Sequence, residues 1–180
     1  MALRFLLVLG LVSSTRAFAQ NRSSTYADAV DKYVDSISEE LWPINTEIHD
    51  TPELAYEEEI AHKLLTDYLS SQGGWTVEKS AYNISTAFVA VFEGSGDGPV
   101  VSFNAEYGKF VGGDNNIRVI TWPADNWSTL DALPDIGHAC GHNLIAMASM
   151  SGALATAEIM RENELPGKVV LFGTPAEEGK

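Results

Sequence analysis

A cysteine and a histidine stand two positions apart in the segment GHACGHN, at Cys140 and His142. Thiolate and imidazole are ligands that zinc prefers in proteins, and this spacing lets both residues serve one metal cluster. A lone cysteine is more often a small buried hydrophobe, and on composition alone that alternative stays open for Cys140. Since the sequence contains one cysteine, no disulfide can form within the chain.

Two adjacent carboxylates form a second candidate group, at Glu177 and Glu178. They follow KVVLFGTP, residues 168–175, an apolar run that predicts a strand. GHACGHN in turn precedes residues 143–162, an Ala-, Met- and Leu-rich segment that predicts a buried helix. Because ligand sites in open α/β sheets lie beyond the carboxyl ends of strands, we expect the two turns to meet at one sheet edge. The alternative for the carboxylates is a solvated acidic loop.

Two further helices are predicted in the first half of the chain. Apolar residues at helical spacing predict a helix over residues 26–42, which Pro43 ends. Thr51 as N-cap and Pro52 at the first helical position predict a second helix that stops at the glycine pair 73–74. We expect the acidic residues of this second helix to form a solvated face: Glu57, Glu58 and Glu59.

Strands are predicted at residues 85–93, 99–107 and 168–175, each bounded by turn-forming residues. The last two are nearly continuous apolar runs, which is typical of strands covered by helices on both faces. Helices and strands therefore alternate along the chain, and this order predicts an α/β layered domain.

Composition and charge narrow the class of protein. The chain has 180 residues, of which 45% are hydrophobic and 20% charged, enough for one domain with a core. Its formal net charge is −14, and it contains no run of Lys or Arg. A surface of this charge repels phosphate backbones, so we expect no nucleic-acid partner.

The first residues have the pattern of a secretory signal peptide, which we place at residues 1–19. Arg4 precedes an apolar run at residues 5–12, and Ala17 and Ala19 give a small-residue cleavage site. The run is shorter than the ~20 residues that span a bilayer, so we expect no membrane partner and a secreted protein. Three glycosylation sequons agree with secretion, at Asn21, Asn83 and Asn126.

Three segments, HDTPELAYEE, DALPDIGHACGHNLIA and VVLFGTPAEEG, together resemble the N-terminal part of the M20 metallopeptidases, in their amidohydrolase and aminoacylase-like branch. The resemblance runs over residues 26–180. It implies a three-layer, zinc-peptidase-like α/β catalytic domain that is incomplete here. It also implies a two-metal site, with Zn²⁺ expected and Mn²⁺ possible as the ion, that hydrolyses amide bonds of N-acyl amino acids or short peptides.

The resemblance also assigns roles to single residues. It makes Cys140, His142 and Glu178 metal ligands and Glu177 the general base, which takes a proton from a metal-activated water. Packing at the start of the helix is the alternative role for the first of three further candidates that would lie around the ligands: His138, Glu106 and Asp131.

Members of this family continue beyond AEEG with further ligand histidines and with a lid domain through which they dimerise. We therefore expect this chain to lack the lid and to form an incomplete site for a small amide or peptide substrate. The alternative is a truncated, catalytically inactive product or a non-catalytic binding module.

The family joins AEY directly to DALP, whereas residues 108–130 separate them here. One explanation is a surface insertion, since long loops cost little free energy to close. We favour a translated intron. Gly-Lys-Phe at 108–110 can be encoded as GGTAAGTTT, which contains a splice donor, and Leu-Asp at 130–131 can be encoded as CTAGAT, which ends an intron at AG. Splicing would restore AEYDALP and remove the Asn126 sequon. The final Gly-Lys can contain a second donor of the same kind.

Overall fold

The computed structural model describes residues 24–108, 110–111, 136–138 and 140–177. The predicted signal peptide, most of the segment 108–130, and four of the candidate residues lie outside these ranges: Asn21, Asn126, Asp131 and Glu178. The helices described are α1 (Ser24–Asp50), α2 (Glu59–Ser71) and α3 (His142–Glu162). The strands described are β1 (Trp75–Lys79), β2 (Phe88–Glu93), β3 (Val100–Glu106), β4 (Phe110–Val111), β5 (Ile136–Gly137) and β6 (Lys168–Thr174).

A four-stranded mixed sheet organises the chain, in the order β1-β2-β6-β3. Strands β1, β2 and β6 pair antiparallel to their neighbours, while β3 and β6 are parallel. A parallel pair needs a long crossover connection, and α3 lies in the chain between β3 and β6. The three predicted strands are confirmed. Strands β4 and β5 form a separate antiparallel pair.

The core lies on one face of the sheet because side chains alternate along each strand. Phe88, Ala90 and Phe92 of β2 are buried, as are Val169 and Leu171 of β6, and the residues between them are partly exposed. The helices α1, α2 and α3 pack against this buried face and share its hydrophobic cluster. Burying one such side chain stabilises the fold by about 1.5–3 kcal/mol.

The opposite face of the sheet is less covered among the described residues. Val91, Val170 and Phe172 point to that face and are partly exposed, and none of the described helices packs on it. The apolar pattern of these strands predicted helices on both faces, and the described residues supply one helical layer and the sheet.

The prediction that Pro43 ends the first helix is wrong, because α1 runs through Pro43 to Asp50. Proline removes one intrahelical hydrogen bond, but the residues after it are held by tertiary contacts. Ile48 is buried in the core, and the buried Asn45 accepts a hydrogen bond from Asn143 at 3.0 Å. Packing of the last two turns therefore outweighs the local cost of the proline.

The predicted start of the second helix is also wrong. The segment after Thr51 is not helical, and α2 begins at Glu59. Glu53 lies in this preceding segment, and its carboxylate accepts the backbone N–H groups of Ile60 at 2.8 Å and Ala61 at 2.9 Å. These are donors that the first turn of a helix leaves without an intrahelical partner. The predicted stop before the glycine pair 73–74 is confirmed.

Helix α3 is the hydrophobic centre of the described fold. It is long and apolar enough to cross a membrane, but 56% of the qualifying window is buried within the protein. Ala153 and Met150 are fully buried, and a Cβ atom on Gly152 would lie 2.8 Å from the ring of Phe103 in β3. These contacts are those of a helix that packs closely on the sheet.

Candidate metal centre

The candidate site lies where β3 and β6 end. These parallel strands are in register up to the pair Glu106 and Thr174, so the segments that follow them leave the same edge of the sheet. Glu177 lies three residues beyond the end of β6. Helix α3 begins with His142 beside the same edge. Three separate elements therefore deliver Glu106, His142 and Glu177 to one place.

The three side chains converge closely. The Nε2 atom of His142 lies 3.3 Å from Oε2 of Glu177 and 3.8 Å from Oε2 of Glu106. One ligand atom from each of the three residues lies within 4.8 Å of the other two. The imidazole is almost fully buried, Glu106 is partly buried and Glu177 is exposed, so the cluster opens to solvent on the Glu177 side.

A backbone carbonyl fixes the orientation of the imidazole. The Nδ1 atom of His142 lies 2.6 Å from the carbonyl oxygen of Gly108. A carbonyl oxygen can only accept, so Nδ1 carries the proton and Nε2 faces the two carboxylates. One imidazole nitrogen and two carboxylate oxygens suit a divalent cation such as zinc or manganese, and the carbonyl contact is the kind that orients a metal-binding histidine. The residues present thus fit a metal ion.

The GHACGHN turn places His142 at the first position of α3. Gly141 adopts a left-handed backbone conformation, with φ of 74°, and its N–H donates to the carbonyl of His138 at 3.1 Å. The backbone N–H groups of Leu144 and Ile145 donate to the carbonyl of Gly141. Glycine favours this conformation because it has no Cβ atom. The turn therefore sets the direction in which α3, and with it His142, enters the site.

Helix α1 supports this turn from behind. The side chain of Asn143 donates to the side chain of Asn45, and both residues are buried. The Nε2 atom of His138 lies 3.0 Å from the carbonyl oxygen of Ile48, to which it donates. The imidazole rings of His138 and His49 stack with centroids 6.4 Å apart. The continuation of α1 beyond its proline is thus what anchors the start of α3.

Known proteins share this sequence and this arrangement of elements. Over 159 residues the chain is 35% identical to the human Xaa-Arg dipeptidase, covering 81% of this chain and 31% of that protein. Over 151 residues it is 30% identical to one of the polypeptides of the p-aminobenzoyl-glutamate hydrolase of Escherichia coli, covering 83% of this chain and 29% of that protein. A crystal structure of YxeP from Bacillus subtilis, described as a dinuclear metal-binding peptidase of the M20 family, matches with a TM-score of 0.62. The chain belongs to the M20 amidohydrolases.

The extent of these matches is limited. The YxeP match has 22% sequence identity and covers 80% of this chain and 36% of that one, so it establishes the fold. No protein-family model matches the chain. The chain spans about a third of the length of the curated relatives it matches. The mixed α/β fold expected from the M20 resemblance is confirmed.

The structure places the residues that the M20 resemblance singled out in different surroundings. His142 and Glu177 lie in the cluster, whereas Cys140 is exposed in the turn before α3 and is not one of the three clustered residues. His138 is buried and bonds to α1. Glu106, expected only to lie around the ligands, contributes an oxygen to the cluster itself. Its position at the carboxyl end of a strand was the signal for a more direct role.

One buried carboxylate was assigned wrongly from the sequence. Glu58 was expected on a solvated face with its neighbours, but it is 0% exposed. It precedes the first turn of α2 and points into the protein, where it accepts hydrogen bonds from Thr86 and from the backbone of Ala176. An acidic run carries no periodic signal that separates one buried member from exposed ones, so the sequence could not identify it.

The sequon at Asn83 lies on the surface. Asn83 ends a short 3₁₀ turn, Ala81–Asn83, between β1 and β2, and its side chain is exposed. The Ser85 of the same sequon is exposed as well. The site is therefore accessible to a modifying enzyme if the chain enters the secretory route.

Proposed function

We propose that this chain supplies part of the active site of a metal-dependent amidohydrolase. The observation that carries the proposal is the convergence of Glu106, His142 and Glu177 at the carboxyl edge of a parallel strand pair. The relatives support the reaction class. A dipeptidase cleaves a peptide bond, and p-aminobenzoyl-glutamate is itself an amide, so both names denote amide hydrolysis.

His142 is the central metal ligand in this proposal. Its Nδ1–H is committed to the carbonyl of Gly108, which leaves Nε2 to hold the ion with Glu106 beside it. A divalent cation there would lower the pKa of a bound water and polarise the scissile carbonyl. Cys140 and Glu178 complete the ligand set that we propose from the M20 resemblance, with zinc favoured by the thiolate.

Glu177 is the proposed general base. It is the most exposed member of the cluster, and an exposed carboxylate beside the ligands can reach both the attacking water and the leaving amine. It would take the proton from the water and hand it to the amine as the bond breaks. The substrates that we propose are N-acyl amino acids or short peptides.

We further propose that the protein is secreted and carries a glycan at Asn83. The apolar run at residues 5–12 and the exposed position of the Asn83 sequon support this route. Expression in a secretory host, followed by N-terminal sequencing and deglycosylation, tests both points. A chain that keeps its first nineteen residues and shows no mass change on deglycosylation contradicts them.

Metal binding and amide hydrolysis are measured together on the purified chain. Titration with Zn²⁺ and with Mn²⁺ by calorimetry is compared between the wild type and two variants, His142→Asn and the control His62→Asn. We expect His142→Asn to weaken binding by at least about tenfold, as loss of a metal ligand or its partner does. His62 lies on α2 outside the cluster, and its variant should bind as the wild type does.

Hydrolysis is then assayed with a panel of N-acyl amino acids and dipeptides. Metal-dependent release of the free amine by the wild type, lost in His142→Asn, supports an enzyme. Metal binding without release of amine would instead favour a non-catalytic binding module. Equal metal binding by the wild type and His142→Asn would contradict the proposed centre.

A further inference from the structure

A fully buried carboxylate lies directly behind the candidate site. Glu58 is 0% exposed and precedes α2, far along the chain from the ligand cluster. Its Oε2 atom accepts the hydroxyl of Thr86 at 3.0 Å, and its Oε1 atom accepts the backbone N–H of Ala176 at 2.8 Å. A buried carboxylate is stable only when its oxygens are hydrogen-bonded, so these two contacts constrain its position tightly.

The contact with Ala176 acts on the residue next to the proposed base. Ala176 has a φ of 58°, in the left-handed region that residues with a Cβ atom adopt rarely. Such a conformation persists only where the surroundings hold it. The bond from Ala176 N–H to Glu58 supplies such a constraint, and Glu177 follows immediately in the chain.

The same carboxylate also borders the group that orients His142. A Cβ atom on Gly108 would lie 2.9 Å from Oε1 of Glu58 and 3.2 Å from the nitrogen of Ala176. The backbone of Gly108 thus packs against the contact between these two residues. Its carbonyl oxygen is the acceptor for Nδ1 of His142. Glu58 therefore touches the end of β3 and the turn after β6 at once.

Two neighbouring side chains hold Glu58 in this orientation. Tyr107, which is buried, donates its hydroxyl to the carbonyl oxygen of Thr86. Burial raises the pKa of Tyr107, and the nearby Glu58 carboxylate raises it further, so the hydroxyl stays protonated and remains a donor. Thr86 is thereby fixed on the side of Glu58 away from Ala176.

We propose that Glu58 is a positioning residue that sets the separation between the imidazole of His142 and the carboxylate of Glu177. It acts through the backbone of Gly108 on one side and that of Ala176 on the other. This role rests on the proposed function for its catalytic consequence, while the mechanical link itself does not depend on a bound metal. Glu58 touches neither the substrate nor the metal in this scheme.

The test uses three variants of the full chain. Glu58→Leu keeps most of the volume and removes both acceptors. Glu58→Gln keeps an oxygen for Ala176 N–H and an amide group for Thr86. Thr66→Val is the matched control, because Thr66 is equally buried in α2 but its hydroxyl bonds only to backbone carbonyls within that helix. Thermal melts of all three variants report the general cost of each change to the fold.

The first readout is hydrogen exchange of the Ala176 amide in the metal-free protein. We expect faster exchange at Ala176 in Glu58→Leu, with protection restored in Glu58→Gln and unchanged in Thr66→Val. Unchanged protection of Ala176 in a folded Glu58→Leu variant would overturn the proposal. If Glu58→Leu does not fold, equal loss of Ala176 protection in Glu58→Gln and Thr66→Val would overturn it.

The second readout is affinity for Zn²⁺. We expect Glu58→Leu to weaken binding on the order of 10–100-fold, as loss of a group that orients ligands does, and Glu58→Gln to bind nearly as the wild type. A wild type that binds no Zn²⁺, together with Glu58-dependent protection of Ala176, would reject the proposed function and retain the positioning role. Zn²⁺ binding unaffected by Glu58→Leu would overturn the positioning role and leave the proposed function standing.

Discussion

The Nε2 atom of His142 lies 3.3 Å from the Oε2 atom of Glu177, although 34 residues separate the two in the sequence. The parallel register of β3 and β6 fixes one side of this contact, and the turn that starts α3 fixes the other. The closeness allows two roles for Glu177, as a ligand of the same ion or as the base that accepts a proton beside it. The roles differ in what they predict for metal binding.

Replacing Glu177 separates these roles. If Glu177 is the base, Glu177→Gln should keep Zn²⁺ affinity close to the wild-type value and lower the rate of amide hydrolysis by about 10²–10⁴-fold. Calorimetry and a single-turnover assay measure the two effects. Glu164→Gln, at an exposed position outside the site, is the control. A large loss of Zn²⁺ affinity in Glu177→Gln would make Glu177 a ligand instead.

Glu53 caps α2 from the preceding segment, and its removal should destabilise the fold. Glu53→Ala leaves the N–H groups of Ile60 and Ala61 without their acceptor, and loss of such a cap costs about 0.5–2 kcal/mol. Urea denaturation measures the change. The neighbouring Glu57 is exposed, and Glu57→Ala should change stability by less than about 0.5 kcal/mol. Equal effects of both variants would show that the cap contributes nothing.

Gly173 in β6 leaves no space for a side chain. A Cβ atom there would lie 2.1 Å from the ring of Phe88, which is buried in the neighbouring strand. We expect Gly173→Ala to lower the free energy of unfolding by about 1–3 kcal/mol through overpacking. Gly96→Ala is the matched control, since no atom lies within 4 Å of its Cβ position. A Gly173→Ala variant as stable as Gly96→Ala would show that β2 and β6 pack differently.

His62 should make the fold less stable in mild acid. Burial lowers the pKa of His62 below its ordinary value of 6.5, and the nearby Lys79 lowers it further. The unfolded chain therefore binds more protons than the folded chain just below pH 6.5, and stability falls as the pH drops from 6.5 toward the folded pKa.

The matching variant is His62→Gln, which cannot titrate. Its free energy of unfolding should fall less than that of the wild type between about pH 7.5 and pH 5.5, as measured by denaturant titration at each pH. The other histidines titrate equally in both proteins, so the difference isolates His62. Parallel pH profiles for the two proteins would contradict the lowered pKa.

The segment 108–130 is tested on nucleic acid. We expect genomic DNA across codons 108–110 to contain GTAAG, and the mature transcript to read AEYDALP. The spliced chain would carry aspartate in place of Gly108, so a Cβ atom would lie 2.9 Å from Oε1 of Glu58 unless the strand end shifts. The carbonyl that orients His142 would remain. A mature transcript that retains all 23 codons would show a true insertion.

The sequence was sufficient for the elements whose signals are local. Period-two alternation and turn residues predicted β2, β3 and β6, and the Ala- and Met-rich run predicted α3. The spacing in GHACGHN and the adjacent carboxylates after β6 predicted that two turns would meet, and His142 and Glu177 do lie together. These predictions succeed because each depends on neighbours in the chain.

The tertiary structure decided what depends on distant contacts. Helix α1 continues past Pro43 because Asn45 and Ile48 are buried against other elements, which no local propensity reveals. Glu58 is buried because Thr86 and Ala176, far away in sequence, offer hydrogen-bond donors to it. Hydrogen bonding and burial between remote segments fix these positions, whereas the residue types themselves already determined which chemistry the site could perform.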